Sequence, residues 1–371
     1  MQIGIPTEST DGETRIAVSP ENVKKFKQKG FDVLVESGAG NKSFFPDTEF
    51  TKLGAQIVDR DKAWAAEIVI KVNPPTNDEI SKLKAGSYLF SMLDPFTSDL
   101  SKFANAKVNA VAMELVPRTS RAQSMDVLSS QANIAGYRAV LEAVTHYPRF
   151  FPMMMTSAGM AKPAKLIVLG VGVAGLQAIA TARRLGASVE AFDIRPEVKE
   201  QILSLGAKYV EINVGESGTG TGGYAKELSP EAKARQQAEL TERLKKYDVV
   251  ITTANIPGRR APILVTADAV KGMRPGSVIV DMAALTGGNC EWTEPGKIVE
   301  KSGVKIVGLK NLAGLSPCDS SHFFGSNVLA LLDLFVQKKE NAFTWNINFE
   351  DDIIAATLVT YQGQVRFAPK K

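Results

Sequence analysis

Two spacings of apolar residues alternate along this chain. In its first third QIGIP, FDVLVE, IVIKV, SYLFSML and VNAVAM are apolar runs of strand length. Most are separated by stretches in which apolar residues recur every three or four positions. Strand-length and helical patterns in alternation predict a parallel sheet with helices on both faces. The first helix is marked at both ends: Ser19 stands as N-cap, Pro20 at the first helical position, and ENVKKFKQK runs on to Gly30.

The alternation is interrupted by RTSRAQSMDVLSS, residues 118 to 130, which holds two arginines, a glutamine, an aspartate and four serines. Behind it Leu128, Ala132, Ala135, Ala139 and Ala143 recur in three- and four-residue steps, a long helix whose length suits a connector between domains. Ser124 is the expected N-cap and Asp126 a favourable first-turn charge. A second alternating series starts at Lys165: AKLIVLG and ASVEAFD read as strands, AGLQAIATARRLG and RPEVKEQILSLG as helices, and DVVITTA and GSVIVDMA as further strands. A helix is expected from Ser229 as N-cap and Pro230 to Lys246, and another near 319 to 338. IIAATLVTYQGQV reads as a closing pair of strands.

The second series carries GVGVAG, with Gly170, Gly172 and Gly175 in GxGxxG spacing. That spacing is weak by itself. Here it follows an apolar strand, opens a helix and precedes Asp193 at the end of the next strand, which makes it a dinucleotide-binding fingerprint. Gly170 permits the tight turn, Gly172 lets backbone approach a pyrophosphate, and Gly175 lets helix pack on strand. Val171 and Val173 lie within the same loop, whose helix start offers N–H groups to negative charge. Asp193 is expected to accept from the adenosine ribose, favouring NAD over NADP, with Ile194 and Arg195 as further nucleotide contacts. In the TTANIPG turn, Ala254 and Asn255 are expected near ribose or nicotinamide.

The fold class is therefore α/β: two Rossmann-like, doubly wound parallel-sheet domains joined by long helices. The first is expected over 1–130 with a returning segment 325–371. The second, over 131–324, binds the nucleotide, and its glycine-rich stretch near 213–228 is expected to be a mobile loop.

Length agrees with roughly two domains for 371 residues. The net charge of +4 comes from dispersed basic residues, which gives no nucleic-acid groove. The opening MQIGIPTE reads as a buried strand and carries no signal pattern. The longest apolar run, VLALLDLFV, contains Asp333 and is too short to cross a bilayer. Two cysteines without a CxxC support neither a disulfide framework nor a metal site, and a reducing cytoplasm is expected. Only His146 and His322 are available as histidine acid/base groups.

IGIPTESTDGETRIAVSP, VESGAG, IVIKVNPP, PRTSRAQSMDVLSSQANIAGYRAV, GVGVAG, FDIRPEVKEQ and GGNCEWTEPG together resemble one family over essentially the whole chain. It is the NAD(H)-binding domain I, or alpha subunit, of proton-translocating nicotinamide nucleotide transhydrogenase. The resemblance implies hydride transfer from NADH to NADP+ held on a separate beta subunit, NADP(H) being the partner's cofactor, coupled to proton movement through a membrane-spanning subunit. It implies a homodimer, cytoplasmic and peripheral on the inner face of the plasma membrane through its partners, with the membrane part on a separate polypeptide. Carried over by matching position, Arg118, Gln123, Asp126 and Ser129 stand beside the nicotinamide, and Gly223 and Tyr224 belong to a flap over bound nucleotide.

Alanine dehydrogenase is the nearest related family and supplies the alternative. Such an enzyme moves a proton as well as a hydride and needs a positioned acid or base. Its arginine and lysine are matched by Arg15 and Lys71, the lysine reading either as a strand-end residue with its head in solvent or as a relic of the ancestral site. Its histidine is not matched, since SYLFSMLDP contains none. His146 is accounted for by a helix end and His322 by capping or packing. A regulatory NAD-binding module without turnover is the third class.

Overall fold

The computed structural model describes residues 1–212, 229–255, 258–339 and 342–368. The chain divides into two compact units, Met1–Gln131 with Ala313–Lys371, and Ala132–Leu312. The helix Val127–His146 runs across the first boundary.

In the first unit six parallel strands, β1 (Gln2–Ile5), β2 (Asp32–Glu36), β3 (Gln56–Val58), β4 (Ile68–Ile70), β5 (Tyr88–Ser91) and β6 (Asn109–Ala112), lie in the order β3-β2-β1-β4-β5-β6. The order reverses between β1 and β4, and the crevice beyond their carboxyl ends is where open α/β sheets take ligands. Helix Pro20–Lys29 starts as the sequence predicts: Ser19 and Asn22 form a reciprocal capping box, and Gly30 ends the helix at φ 101°.

The chain returns to this unit at Ala313, ahead of the expected 325, because helix Pro317–Phe335 packs as a whole on its core. Phe324, Val328, Leu331, Leu332 and Phe335 are buried with Ile3, Ile5, Val23 and Phe26. A Cβ on Gly325 would stand 2.3 Å from Asn22 Oδ1, so only glycine permits that helix to approach so closely. The helix also stops at Phe335, and Val336–Lys339 pairs antiparallel with Ala342–Trp345.

The closing segment is corrected in part. Asp351 caps a short helix, Asp352–Thr357, and only Thr360–Tyr361 with Gln364–Val365 form a hairpin. Ile353, Ile354 and Thr357 are buried on one side of a helical turn, and cap and burial together override the β-propensity of IIAAT.

In the second unit a small hairpin, β7 (Met154–Thr156) and β8 (Gly159–Ala161), precedes a seven-stranded sheet. Its strands are β9 (Lys165–Leu169), β10 (Ser188–Phe192), β11 (Lys208–Tyr209), β12 (Val249–Thr252), β13 (Val278–Asp281), β14 (Ile298–Lys301) and β15 (Val304–Val307). They lie in the order β11-β10-β9-β12-β13-β15-β14, and β14 is an antiparallel edge strand. Leu166, Val168, Val189, Val249, Ile251 and Val280 fill one face with the helix residues Ala178, Ile179 and Ala182. Ile167, Leu169, Val250 and Ile279 fill the other with Leu240 and Leu244, which is why these strands read as continuous apolar runs. Helix Pro230–Leu244 has Ser229 as its N-cap, as predicted. Both sheets are doubly wound, which agrees with the α/β expectation.

Candidate functional site

The order of the second sheet reverses between β9 and β12, and the glycine loop leaves β9 at that point. Gly170 has φ 92°, a left-handed conformation that glycine adopts without strain. A Cβ on Gly175 would sit 2.1 Å from the Gly170 carbonyl oxygen, so the first helical turn closes on the loop only because that atom is missing. A Cβ on Gly172 would meet nothing within 4 Å. That position is exposed, and it opens the helix Val173–Arg184 with no side chain capping it. The first N–H groups of a helix have no intrahelical acceptor, and their dipoles favour an anion. Open space, uncapped amides and the nearby Asp193 together fit a dinucleotide phosphate and its ribose.

Asp193 is buried at the end of β10. Its Oδ2 accepts from the Val171 amide at 2.7 Å, which ties the strand end to the glycine loop. Its Oδ1 accepts from the Arg195 amide and from Arg195 Nε, both at 2.9 Å, while Arg195 Nη2 donates to Oδ2 at 2.8 Å. The carboxylate beside it raises the Arg195 pKa further and keeps the guanidinium charged. Ile194 is half-buried between them. Tyr209 adds a hydroxyl donated to the Asp193 carbonyl at 3.3 Å, and burial together with the Asp193 charge pushes its phenol up.

The end of β12 lies against the loop. Thr253 Oγ1 donates to the Gly170 carbonyl at 2.8 Å. Ala254 is half-buried and Asn255 exposed. Their turn is held from a distance by residues that the sequence pattern did not single out. Asn289 Nδ2 donates to the Ala254 carbonyl at 2.8 Å and to the Pro262 carbonyl at 2.7 Å. Asn289 is in turn placed by Asp281, whose Oδ2 accepts the Asn289 and Cys290 amides and the Thr293 hydroxyl. Burial pushes the Cys290 thiol up to about 12, so it is an inert packing residue. An aspartate at a strand end followed by GGN was the available signal. Gly223 and Tyr224 lie outside the described residues.

In the first unit, the polar stretch before the long helix forms a tight 3-10 turn, Ser120–Met125, anchored by buried Ala122 and Met125. Arg121 grips Asp351 through both nitrogens, at 2.7 and 3.0 Å, and reaches Asp352 as well. Ser124 is not the cap: its carbonyl accepts from Asn327 at 2.8 Å. Asp126 caps instead, accepting from the Ser129 amide at 2.9 Å and its hydroxyl at 2.5 Å. Its carboxylate thereby satisfies one of the first helical N–H groups, which have no intrahelical acceptor. Of the four residues expected at the nicotinamide, Asp126 and Ser129 are thus joined, while Arg118 and Gln123 are exposed.

The crevice between β1 and β4 holds a different constellation. Lys71 is fully buried, which corrects its reading as a solvent-facing strand end. Its ammonium lies 3.3 Å from Glu8 and 3.9 Å from Glu79, over the Trp64 ring. Glu8 also accepts the Val72 amide at 2.6 Å, and burial raises its pKa despite Lys71. Arg15 donates to both oxygens of Glu13, at 2.8 and 2.7 Å, and to Gln131 at 2.8 Å. Burial alone would raise the Glu13 carboxyl, but the Arg15 bonds and charge hold it at about 2. The cations of this crevice are neutralised from within the chain. His322 Nδ1 sits 3.1 Å from the cap hydroxyl of Ser19, and His146 lies 3.9 Å from Glu142 one turn away. His146 is the last residue of its helix, and His322 lies in the second turn of Pro317–Phe335 against the N-cap of Pro20–Lys29.

Two doubly wound sheets, one with a GxGxxG loop at its switch point, define the class of the protein as an α/β protein of the dinucleotide-binding type. The chain belongs to the Alanine dehydrogenase/PNT family, whose N-terminal domain matches residues 4–135 and whose C-terminal domain matches residues 139–368. It is 45% identical to an NAD(P) transhydrogenase subunit alpha polypeptide of Rhodospirillum rubrum, over 98% of this chain and 97% of that one. It is also 45% identical to the NAD(P) transhydrogenase subunit alpha of Haemophilus influenzae, over 98% of this chain and 71% of the relative. The crystal structure of transhydrogenase from Sinorhizobium meliloti superposes with a TM-score of 0.86 at 43% identity and covers 98% of both chains.

Proposed function

We propose that this chain is the NAD(H)-binding subunit of a proton-translocating transhydrogenase. It passes a hydride from NADH to NADP+ held on a partner subunit, with proton movement in a separate membrane component. The observation that carries the reading is the built fingerprint of the second unit: Gly170 turned left-handed, open space at Gly172, and Asp193 tied to the loop through Val171.

The bound nucleotide supplies the hydride, and the chain supplies position. The helix start at Val173 faces the pyrophosphate, Asp193 takes the adenosine ribose, and Ala254 and Asn255 lie on the nicotinamide side. Arg118, Gln123, Asp126 and Ser129 orient the nicotinamide, Gly223 and Tyr224 close over the nucleotide, and the working form is a homodimer. A hydride passed between two nicotinamides needs no side-chain proton, and orientation with exclusion of water suffices. The engagement of His146 with Glu142 and of His322 with the Ser19 cap accords with that chemistry.

The alanine dehydrogenase alternative needs a cation ready for a substrate carboxylate. Arg15 and Lys71 already face Glu13 and Glu8, which counts against it. The test is to mix the chain with an NADP(H)-binding partner and follow reduction of an NADP+ analogue at the expense of NADH. Transfer in the mixture with negligible alanine oxidation supports the proposal. Alanine-dependent NAD+ reduction by the chain alone overturns it, and NADH binding without transfer returns the chain to a non-catalytic binding module.

A further inference from the structure

The carboxylate assigned to the adenosine ribose is already saturated. A carboxylate offers about four lone-pair sites. On Asp193 these are filled by the Val171 amide, the Arg195 amide, Arg195 Nε and Arg195 Nη2. Two of the four donors are backbone, held by the glycine turn and by the strand end. The other two sit on one side chain and can leave together. Their number equals that of the hydroxyls on a ribose.

The local sequence explains why the arginine reaches back. Residues i and i+2 of an extended segment project to the same side. Arg195 is extended, at φ −90° and ψ 112°, as the following Pro196 favours. Its planar fork matches the two oxygens of Asp193. Nη2 also donates to the Val171 carbonyl at 3.2 Å, so the guanidinium spans from the strand end to the glycine loop.

We propose that Arg195 is an internal competitor for the ribose subsite, holding Asp193 in the nucleotide-free chain and displaced from it when a nucleotide with ribose hydroxyls binds. This rests on the reading of Asp193 as the ribose acceptor. The sequence alone makes Arg195 a nucleotide contact; the geometry sets it on the acceptor that the ribose needs. Bound arginine sets a threshold that a ribose with two hydroxyls clears and a deoxygenated one does not.

The test is direct binding of NADH, AMP and 2′,3′-dideoxyadenosine monophosphate to the full chain and to Arg195→Met, each with a thermal melt to establish folding. In the variant the affinities for NADH and AMP rise about tenfold, the scale of one charge-assisted hydrogen bond. That for the dideoxy nucleotide stays unchanged. Weaker or unaltered NADH binding by folded Arg195→Met overturns the proposal. So does an equal gain for the dideoxy nucleotide. Should Arg195→Met not fold, Arg195→Lys replaces the fork with a single point charge and gives a gain between wild type and tenfold. No gain there overturns the idea equally. Asp193→Asn separates the underlying reading: if it leaves the AMP preference over the dideoxy nucleotide intact, Asp193 is not the ribose acceptor and the reading itself fails. If it abolishes that preference while Arg195→Met tightens nothing, only the competitor fails.

Discussion

Asp126 holds Ser129 by two bonds, from its amide at 2.9 Å and its hydroxyl at 2.5 Å, and so closes the start of the helix Val127–His146. The pair is a structural cap and also lies in the stretch assigned to the nicotinamide. The two roles separate by mutation. Asp126→Ala loses the cap and costs about 1 kcal/mol of stability. Asp126→Asn keeps a capping oxygen and leaves urea unfolding nearly unchanged. Hydride transfer on bound nucleotide, measured by stopped-flow with the partner present, slows far more than NADH binding weakens. Gln123→Asn, at an exposed site, acts the same way. A loss confined to binding contradicts the positioning role.

Two of the three glycines of the fingerprint predict different stability outcomes. Gly175→Ala drives a methyl to within 2.1 Å of the Gly170 carbonyl oxygen and destabilises the chain by about 1–3 kcal/mol, the usual cost of overpacking. Gly172→Ala places its methyl in open space and stays within about 0.5 kcal/mol of wild type. Both lose NADH affinity, since the added methyl of Gly172→Ala stands where the pyrophosphate approaches. Calorimetric binding with parallel chemical denaturation checks the contrast.

Asn289 reaches the Ala254 carbonyl across 35 residues of sequence. Asn289→Ala leaves the Ala254 and Pro262 carbonyls without that donor, for a stability loss of about 1–3 kcal/mol. It also loosens the turn that carries Ala254 and Asn255. The Kd for NADH rises, while AMP, which lacks the nicotinamide half, binds as before. Weakening of both nucleotides by the same factor argues against this placement.

The Glu13–Arg15 pair ties part of the acid stability to one buried carboxylate. Glu13 is lowered from its ordinary 4.5 to about 2. A depressed carboxylate contributes stability that is fully present above its unfolded pKa and disappears as pH falls through the folded one. Glu13→Gln is therefore less stable than wild type at neutral pH, and the difference shrinks between pH 4.5 and about 2. Urea titrations at several pH values measure it. A difference independent of pH across that window rejects the assignment.

Much of the architecture is legible in the sequence because it is encoded locally. Ser19 with Pro20 and Ser229 with Pro230 begin helices where expected, since a cap satisfies amides two or three residues away. The glycine fingerprint is legible for the same reason: its turn, its helix start and Asp193 are set by neighbours in one βαβ unit. Local rules permit either Ser124 or Asp126 as the cap, and there the tertiary contact of Asn327 with the Ser124 carbonyl accompanies the choice of Asp126.

What the sequence by itself determined is the alternation of strand and helix, the fingerprint, and a supply of only two histidines. Only the tertiary structure decided which charges are spent on each other. It buried Lys71 beside Glu8 and brought Asn289 to the Ala254 carbonyl. Hydrogen bonds and ion pairs depend on distances of a few ångströms, and spacing along the chain carries no information about them once a connection leaves its own βαβ unit.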